Sequence, residues 1–307
     1  RGLGDVYKRQ ALLCSPLDGI NFDEKQKINN ELLKSGASID EMNIVRQSIS
    51  AVKGGRLLEL IKPSNCITYG ISDIPGDDPS FIGSGPTIYS NNDPNKLFEI
   101  LDNYQIEISK EILSIIKTNL LPKGINENFH LIASPMKALK AASNLAKKIG
   151  FLPIILSDKL EGDASKEGER MANLALKIKK EKRYKNISLE KPILLLSGGE
   201  TTVKVNGLGK GGRNSEFALS MVNTLKGNKN ILGLSIDTDG IDGSEDNAGA
   251  FFSYETFLKS KKLNLDIKKF INNNDAFSFF EKTKDLIYTG PTLTNVNDFR
   301  AVLVLPN

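Results

Sequence analysis

The chain has 307 residues, 39% hydrophobic and 25% charged, a balance that suits a folded globular protein and excludes a disordered one. No apolar run approaches the roughly 18 residues of a membrane-spanning helix. The 41 Lys+Arg against 37 Asp+Glu leave a net charge of only +4, scattered rather than gathered into a nucleic-acid patch. Two cysteines, Cys14 and Cys66, argue against a disulfide framework or zinc ribbon and fit a reducing cytoplasm, and the single histidine, His130, excludes a His-rich metal site.

Residues 1–10 (RGLGDVYKRQ) join poorly to the stretch from Ala11 onward and read as a non-native leader. Residues 23–35 place Ile28, Leu32 and Leu33 on one stripe, with Gly36 just past the end, and so predict a helix. Ser38 and Glu41 form a capping box that opens a second helix carrying Met42, Val45, Ile49 and Val52. Lys53-Gly54-Gly55-Arg56 interrupts it. Residues 66–71 read as a buried strand, and the loop 72–87 after it is of a length usually reserved for function. Helices are expected at 94–103 and 106–119. His130 sits in an apolar stretch and reads as a structural histidine.

A regular rhythm begins at 131. A strand at 131–133 leads to Ser134 and Pro135, which open a helix ending at Gly150. Next come a strand at 151–156 and a helix at about 163–183, the basic run 179–183 reading as its solvated end. This alternation implies right-handed crossovers and a parallel sheet. The polar stretch 181–191 marks a domain boundary. Strands are then expected at 192–197, 201–205, 231–236, 248–252 and 299–305, with helices at 214–225 and within 254–285.

Four segments can carry chemistry. Ser197-Gly198-Gly199-Glu200 ends a buried strand, where open α/β sheets bind ligands. Gly198 and Gly199 would let backbone approach a ligand, and Glu200 would point a carboxylate at it; the alternative is a plain turn. Gly207-Leu208-Gly209-Lys210-Gly211-Gly212-Arg213-Asn214 runs into a helix. A helix N-terminus favours anions, so Lys210, Gly211, Gly212, Arg213 and Asn214 are candidate phosphate or nucleotide contacts. The stretch only narrowly misses a Walker A loop and gives a weak G-x-G-x-x-G match; a flexible hairpin is the alternative. Asp237-Thr238-Asp239-Gly240-Ile241-Asp242 ends another strand. Its clustered carboxylates repel unless a cation or base sits among them, which makes Asp237 and Asp242 candidate metal ligands and Asp239 a candidate base. It is not an EF-hand. The loop with Asp77 and Ser84 could contact substrate, or be structural. Arg213 facing these acids suits phosphoryl transfer.

SGGETTVKVNGLGKGGRNSEFAL, DTDGIDGSEDNAGA and TGPTLTNVND, together with GASIDEMNIVRQSISAVKGGRL and ISDIPGDDPSFIGSGPT upstream, resemble the class II glycerate 2-kinases, a MOFRL family whose members are sometimes labelled hydroxypyruvate reductase. The resemblance runs from about Ala11 to the end. It implies an α/β fold of two domains: a Rossmann-like parallel-sheet domain at 11–188, incomplete here, and a mixed-sheet MOFRL domain at 189–307. It implies ATP- and Mg²⁺-dependent phosphorylation of D-glycerate to 2-phosphoglycerate in the interdomain cleft. Arg213 would hold phosphate or carboxylate, Asp239 would act as base or metal ligand, and Glu200 would line the same cleft. The implied partners are glycerate and nucleotide, with no nucleic acid and no membrane; a homodimer is left open. Full-length members carry an upstream glycine-rich turn and an active-site lysine that this sequence lacks, so this chain is expected to be weak or inactive. An NAD(P)-dependent hydroxypyruvate reductase and a ligand-binding fragment without catalysis are the alternatives.

Overall fold

The computed structural model describes residues 13–306, apart from 75, 91, 92 and 125–127; the expected leader at 1–10 lies outside the described residues. The chain divides into two units, one ending at Ile132 and the other beginning at Ala133.

The first unit is mainly helical. Helices α1 (Phe22–Ser35) and α2 (Ile39–Ser48) both start on capping boxes, Asn21 with Glu24 and Ser38 with Glu41, which satisfy otherwise orphaned N–H groups. Gly36, at φ 80°, ends α1 in the left-handed region that glycine favours. A short α3 (Arg56–Leu60) leads to strand β1 (Thr68–Ile71), and α4 (Pro94–Asn103) and α5 (Lys110–Thr118) lead to β2 (Phe129–Ala133), the partner of β1. Ile28, Leu32, Val45, Ile49, Ile100 and Ile116 form the core of this unit. The interruption after α2 meets the long loop: the N–H groups of Gly54 and Gly55 donate to the carbonyls of Ser84 and Gly85 at 3.0 and 2.8 Å. His130 is exposed on β2, its ring 5.7 Å from that of Tyr69, rather than a core residue.

The second unit begins with α6 (Pro135–Lys148), β3 (Leu152–Ser157), β4 (Gly162–Asp163) and α7 (Ala164–Glu181). A small hairpin, β5 (Arg183–Tyr184) and β6 (Ile187–Ser188), leads to β7 (Ile193–Ser197) and β8 (Thr201–Thr202). Then come α8 (Arg213–Leu225), β9 (Ile231–Asp237), β10 (Gly249–Phe252), α9 (Tyr254–Lys262), α10 (Ile267–Asn272), α11 (Ala276–Thr283), β11 (Leu286–Ile287) and β12 (Asp298–Val304). Its main sheet has the order β11-β10-β9-β12-β7-β3, parallel only between β3 and β7.

The fold is thus α/β with a mixed sheet, as expected, but the parallel pairing differs from the rhythm read at 131–183. Strand β2 pairs with β1, and β3 pairs with β7; β2 and β3 share no sheet. The compact units therefore divide at 132/133, not at 188/189. Helix α7 belongs to the second unit because Ala172, Ala175 and Ile178 bury against the cluster of Phe217, Leu219 and Val222 on α8.

The α7–α8 contact depends on Gly168, where a Cβ would lie 2.5 Å from the Phe217 carbonyl oxygen. Overpacking a close helix contact costs about 1–3 kcal/mol, whereas a change at an exposed site stays within about 0.5 kcal/mol. Gly168→Ala should accordingly lower the urea midpoint clearly, and Lys177→Ala, on the exposed face of the same helix, should leave it nearly unchanged.

Candidate active site

Strands β7 and β9 end where the antiparallel β12 begins. Register places Asp298 opposite Asp237, and Arg300 between Ser197 and Ser235. The N-terminus of α8 arrives at the same end of the sheet, so residues distant in sequence converge there.

Arg213, the first residue of α8, is the centre of this convergence. Its Nε donates to Asp298 Oδ1 at 2.8 Å, one terminal nitrogen to Glu200 Oε1 at 2.7 Å, and the other to Asp237 Oδ2 at 2.6 Å. A guanidinium has five N–H donors; three are held and two are left. Burial works against its charge, but Asp298, Glu200 and Asp237 outweigh it and hold the group above its ordinary range. Burial pushes the Asp237 carboxyl up, and the like charges of Asp239 and Asp298 add to this, against the backbone N–H of Asp239 and the Arg213 cation. Arg213, Glu200 and Asp237, singled out in the sequence by their charge, therefore lie in direct contact.

Asp239 is buried two residues on. Its N–H donates to Asp237 Oδ1 at 3.1 Å, and its own Oδ1 accepts from the N–H of Ile241 at 2.9 Å. Asp242 has a different role from the metal ligand expected of it. Its two oxygens accept from the N–H groups of Asn214 and Ser215 at 2.9 and 2.7 Å, so a buried carboxylate caps α8. Burial raises its pKa while these hydrogen bonds oppose the rise. Asn214 is fully buried, donating from Nδ2 to Asp298 and accepting from Ser235. Its side chain supports the site from behind rather than facing a ligand.

The glycine-rich loop is also tied down internally. The N–H groups of Asn206 and Gly207 donate to Asn274 Oδ1, that of Leu208 to Asn273 Oδ1, that of Gly209 to the Asn273 carbonyl and that of Lys210 to Asp275 Oδ1. Lys210 is exposed, 3.5 Å from Glu245. Among the described residues, the N–H groups of Gly211, Gly212 and Arg213 make no hydrogen bond. Gly198 donates to the Ser157 carbonyl at 2.8 Å. Gly199, at φ 103°, lies against the backbone of Lys159 and Leu160, so its lack of a side chain serves chain packing. Asp77 and Ser84 are in the first unit. Asp77 has φ 55°, and buried Ser84 donates its hydroxyl to Asn43 Oδ1 at 3.0 Å.

Two further residues belong to this constellation without having been singled out by sequence, Asp298 and Arg300. Asp298 Oδ2 accepts from the N–H of Thr201 at 3.2 Å and from a terminal nitrogen of Arg300. Arg300, wholly buried, also donates to Thr201 Oγ1 at 2.9 Å and stacks 4.9 Å above the Phe217 ring. Burial lowers its pKa while Asp298 opposes the change. One signal was available: alternation in β12 puts Asp298, Arg300, Val302 and Val304 on one buried face. A charged pair there needs a partnered site.

Breaking a buried ion pair from one side costs about 3–5 kcal/mol. Asp298→Ala should destabilise the chain by about that much in urea unfolding. Loss of a helix cap costs about 0.5–2 kcal/mol, so Asp242→Ala should act in the same direction but less strongly.

Residues 193–298 match the MOFRL family, and residues 9–117 match a domain of unknown function, DUF4147. A putative hydroxypyruvate reductase of Agrobacterium vitis is 40% identical over 299 residues, 96% of this chain and 77% of its own length. A D-glycerate 2-kinase of Thermotoga maritima is 38% identical over 295 residues, 96% of this chain and 70% of its own. The crystal structure of a glycerate kinase from Thermotoga maritima superposes with a TM-score of 0.87 at 36% identity, covering 94% of this chain and 69% of that one. A Pyrococcus horikoshii protein of known structure gives a TM-score of 0.82 at 33% identity, covering 95% and 68% of the two chains. With similarity of 33–40% identity running along both units, the chain belongs to the class II glycerate kinase family.

Proposed function

We propose that the chain is a glycerate 2-kinase, transferring the terminal phosphoryl group of ATP to the 2-hydroxyl of D-glycerate. The observation that carries this reading is Arg213. Three carboxylates fix it rigidly, two of its donors are left, and the N–H groups of Gly211 and Gly212 beside it are unpaired among the described residues. Phosphoryl transfer is catalysed mainly by preplaced charge and positioning, and a guanidinium held in this way needs no reorganisation as charge develops on the transferring group.

Asp237 has both oxygens engaged, by Arg213 and by the N–H of Asp239. We assign the neighbouring buried Asp239 to take the proton of the 2-hydroxyl. The hydroxyl oxygen bonds to phosphorus, the bridging P–O bond of ATP breaks, and ADP leaves. Arg213 holds the equatorial oxygens, and Glu200, at the exposed side of the guanidinium, sets its orientation. Lys210 offers a further positive charge on the loop. Mg²⁺ arriving with a nucleotide needs only one or two carboxylates beyond phosphate oxygens and water, and Asp237, whose Oδ1 is held by a backbone N–H alone, would be the one to hold it. Among the described residues no group of three such ligands forms a protein-only cage. When bound, Mg²⁺ supplies charge neutralisation at the phosphates.

The geometry favours this over the reductase reading. Gly207 and Gly209 press against Asn273 and Asp275, and the loop comes after a two-residue strand rather than opening a parallel βαβ unit. No helix among the described residues is long and apolar enough to cross a membrane. The free thiols of Cys14 and Cys66 fit a cytoplasmic enzyme.

Glycerate-dependent release of ADP, with 2-phosphoglycerate identified by mass spectrometry, tests the reading. Arg213→Lys, which keeps charge but not the fork, should lower kcat/KM by about 10²-fold or more. Asp239→Asn should lower kcat by a similar factor with little change in KM. Hydroxypyruvate-dependent oxidation of NADH without any ADP release would overturn the proposal.

A further inference from the structure

The first unit holds a second cationic group that the phosphoryl-transfer reading does not use. Lys53, in the break between α2 and α3, is only 7% exposed, and its ammonium makes no hydrogen bond or ion pair among the described residues. The titratable groups that act on it are Lys25, Arg46 and the Cys14 thiol, with no carboxylate among them in the described residues. Lys25 is 5% exposed, and its ammonium rests on the carbonyls of Cys14 and Ser15 at 2.6 and 3.3 Å. Arg46 donates from Nε to Asn29 Oδ1 at 3.3 Å and leaves its terminal nitrogens unbonded among the described residues.

Two buried ammonium groups and a half-buried guanidinium thus lie in one neighbourhood, with no counter-ion among the described residues. Such an arrangement is costly, since buried charges are normally paired, and the cost is offset when an anion enters. The backbone keeps the group in place. Ser50 Oγ accepts from the N–H of Lys53 and donates to the Ser15 carbonyl, while Gly54 and Gly55 anchor to the long loop. Burial, with Lys25 and Arg46 beside it, lowers the Lys53 pKa to about 8.

We propose that Lys53, Lys25 and Arg46 form an oxyanion-binding site within the first unit, taking the carboxylate or the phosphoryl group of a small molecule. The site rests on this unit alone and stands or falls separately from the kinase reading.

The test is competitive trace acetylation of the 307-residue chain near pH 8, read residue by residue by mass spectrometry, with exposed Lys96 as internal reference. One arm adds D-glycerate and the other inorganic phosphate, each against chloride at equal ionic strength. An anion bound here covers the amine and raises its pKa; near pH 8 the first unit of rise from about 8 removes roughly fivefold of the reactive form and each further unit about tenfold. Lys53 labelling should fall at least about tenfold in one arm or both, with Lys96 unchanged. The arm that protects identifies the chemistry as carboxylate or phosphoryl. Unchanged Lys53 labelling in both arms would overturn the site.

The same burial sets a pH signature without ligand. The unfolded chain holds the Lys53 proton up to about 10.5 and the folded chain only to about 8. Between these values the unfolded state binds more protons, so stability rises with pH. Melting temperatures of the chain should therefore gain on those of Lys53→Met from about pH 8 to about pH 10; a constant gap would show that the ammonium is already paired.

Discussion

The second unit depends on one carboxylate. Asp298 has four acceptor positions, and all are filled: Oδ1 by Arg213 and Asn214, Oδ2 by Thr201 and Arg300. These partners come from α8, from β8 and from β12 itself. A buried carboxylate is tolerable only with such complete satisfaction. The same bonds that make it tolerable fix the position of Arg213, so the stability of this end of the sheet and the orientation of that guanidinium have a common origin.

The head of α8 shows how a familiar site can be used internally. Its N–H groups and partial positive charge would suit a phosphate, but the carboxylate of Asp242 occupies two of those donors. The glycines before it serve the same closure. A Cβ at Gly212 would meet Asp242, and Cβ atoms at Gly207 and Gly209 would meet the 273–275 turn. With its dipole satisfied by the chain, α8 acts as a rigid mount for the Arg213 side chain, and the ligand-facing N–H groups are reduced to those of Gly211, Gly212 and Arg213.

Range along the chain decides which features are legible in the sequence. The capping box at Ser38, the glycine stop at Gly36 and the apolar stripes of α1 and α2 are local, and spacing shows them, whereas the box at Asn21 emerged only in the structure. The charges of Arg213, Glu200 and Asp237 were legible because like charges left together demand an opposite one, and the chain supplied it nearby in sequence. The tethering of the 206–210 backbone by Asn273, Asn274 and Asp275 was not, because asparagine and aspartate are ordinary turn formers and nothing local marks a contact 65 residues away. Strand pairing failed for the same reason. A strand–helix–strand rhythm fixes the handedness of a crossover but does not name the neighbour, and β3 chose β7. Arg300 lies between these cases: the alternation of β12 exposed it to inference, but its partner Asp298 is what makes its burial intelligible.

Arg213 and Lys53 can be compared as two answers to the cost of removing a cation from water. Arg213 is surrounded by three carboxylates, an excess of negative charge that orients it and leaves the surroundings receptive to a cation or a proton. Lys53 has two further cations beside it and no carboxylate among the described residues, a deficit that an incoming anion would cancel. A structural lysine placed for packing would send its ammonium to solvent, as long side chains do when the stem alone is buried. Lys53 instead keeps its charged end within a desolvated group of like charge. The state of pairing, more than the residue type, therefore separates a cation that is already an instrument from one that waits for its ligand.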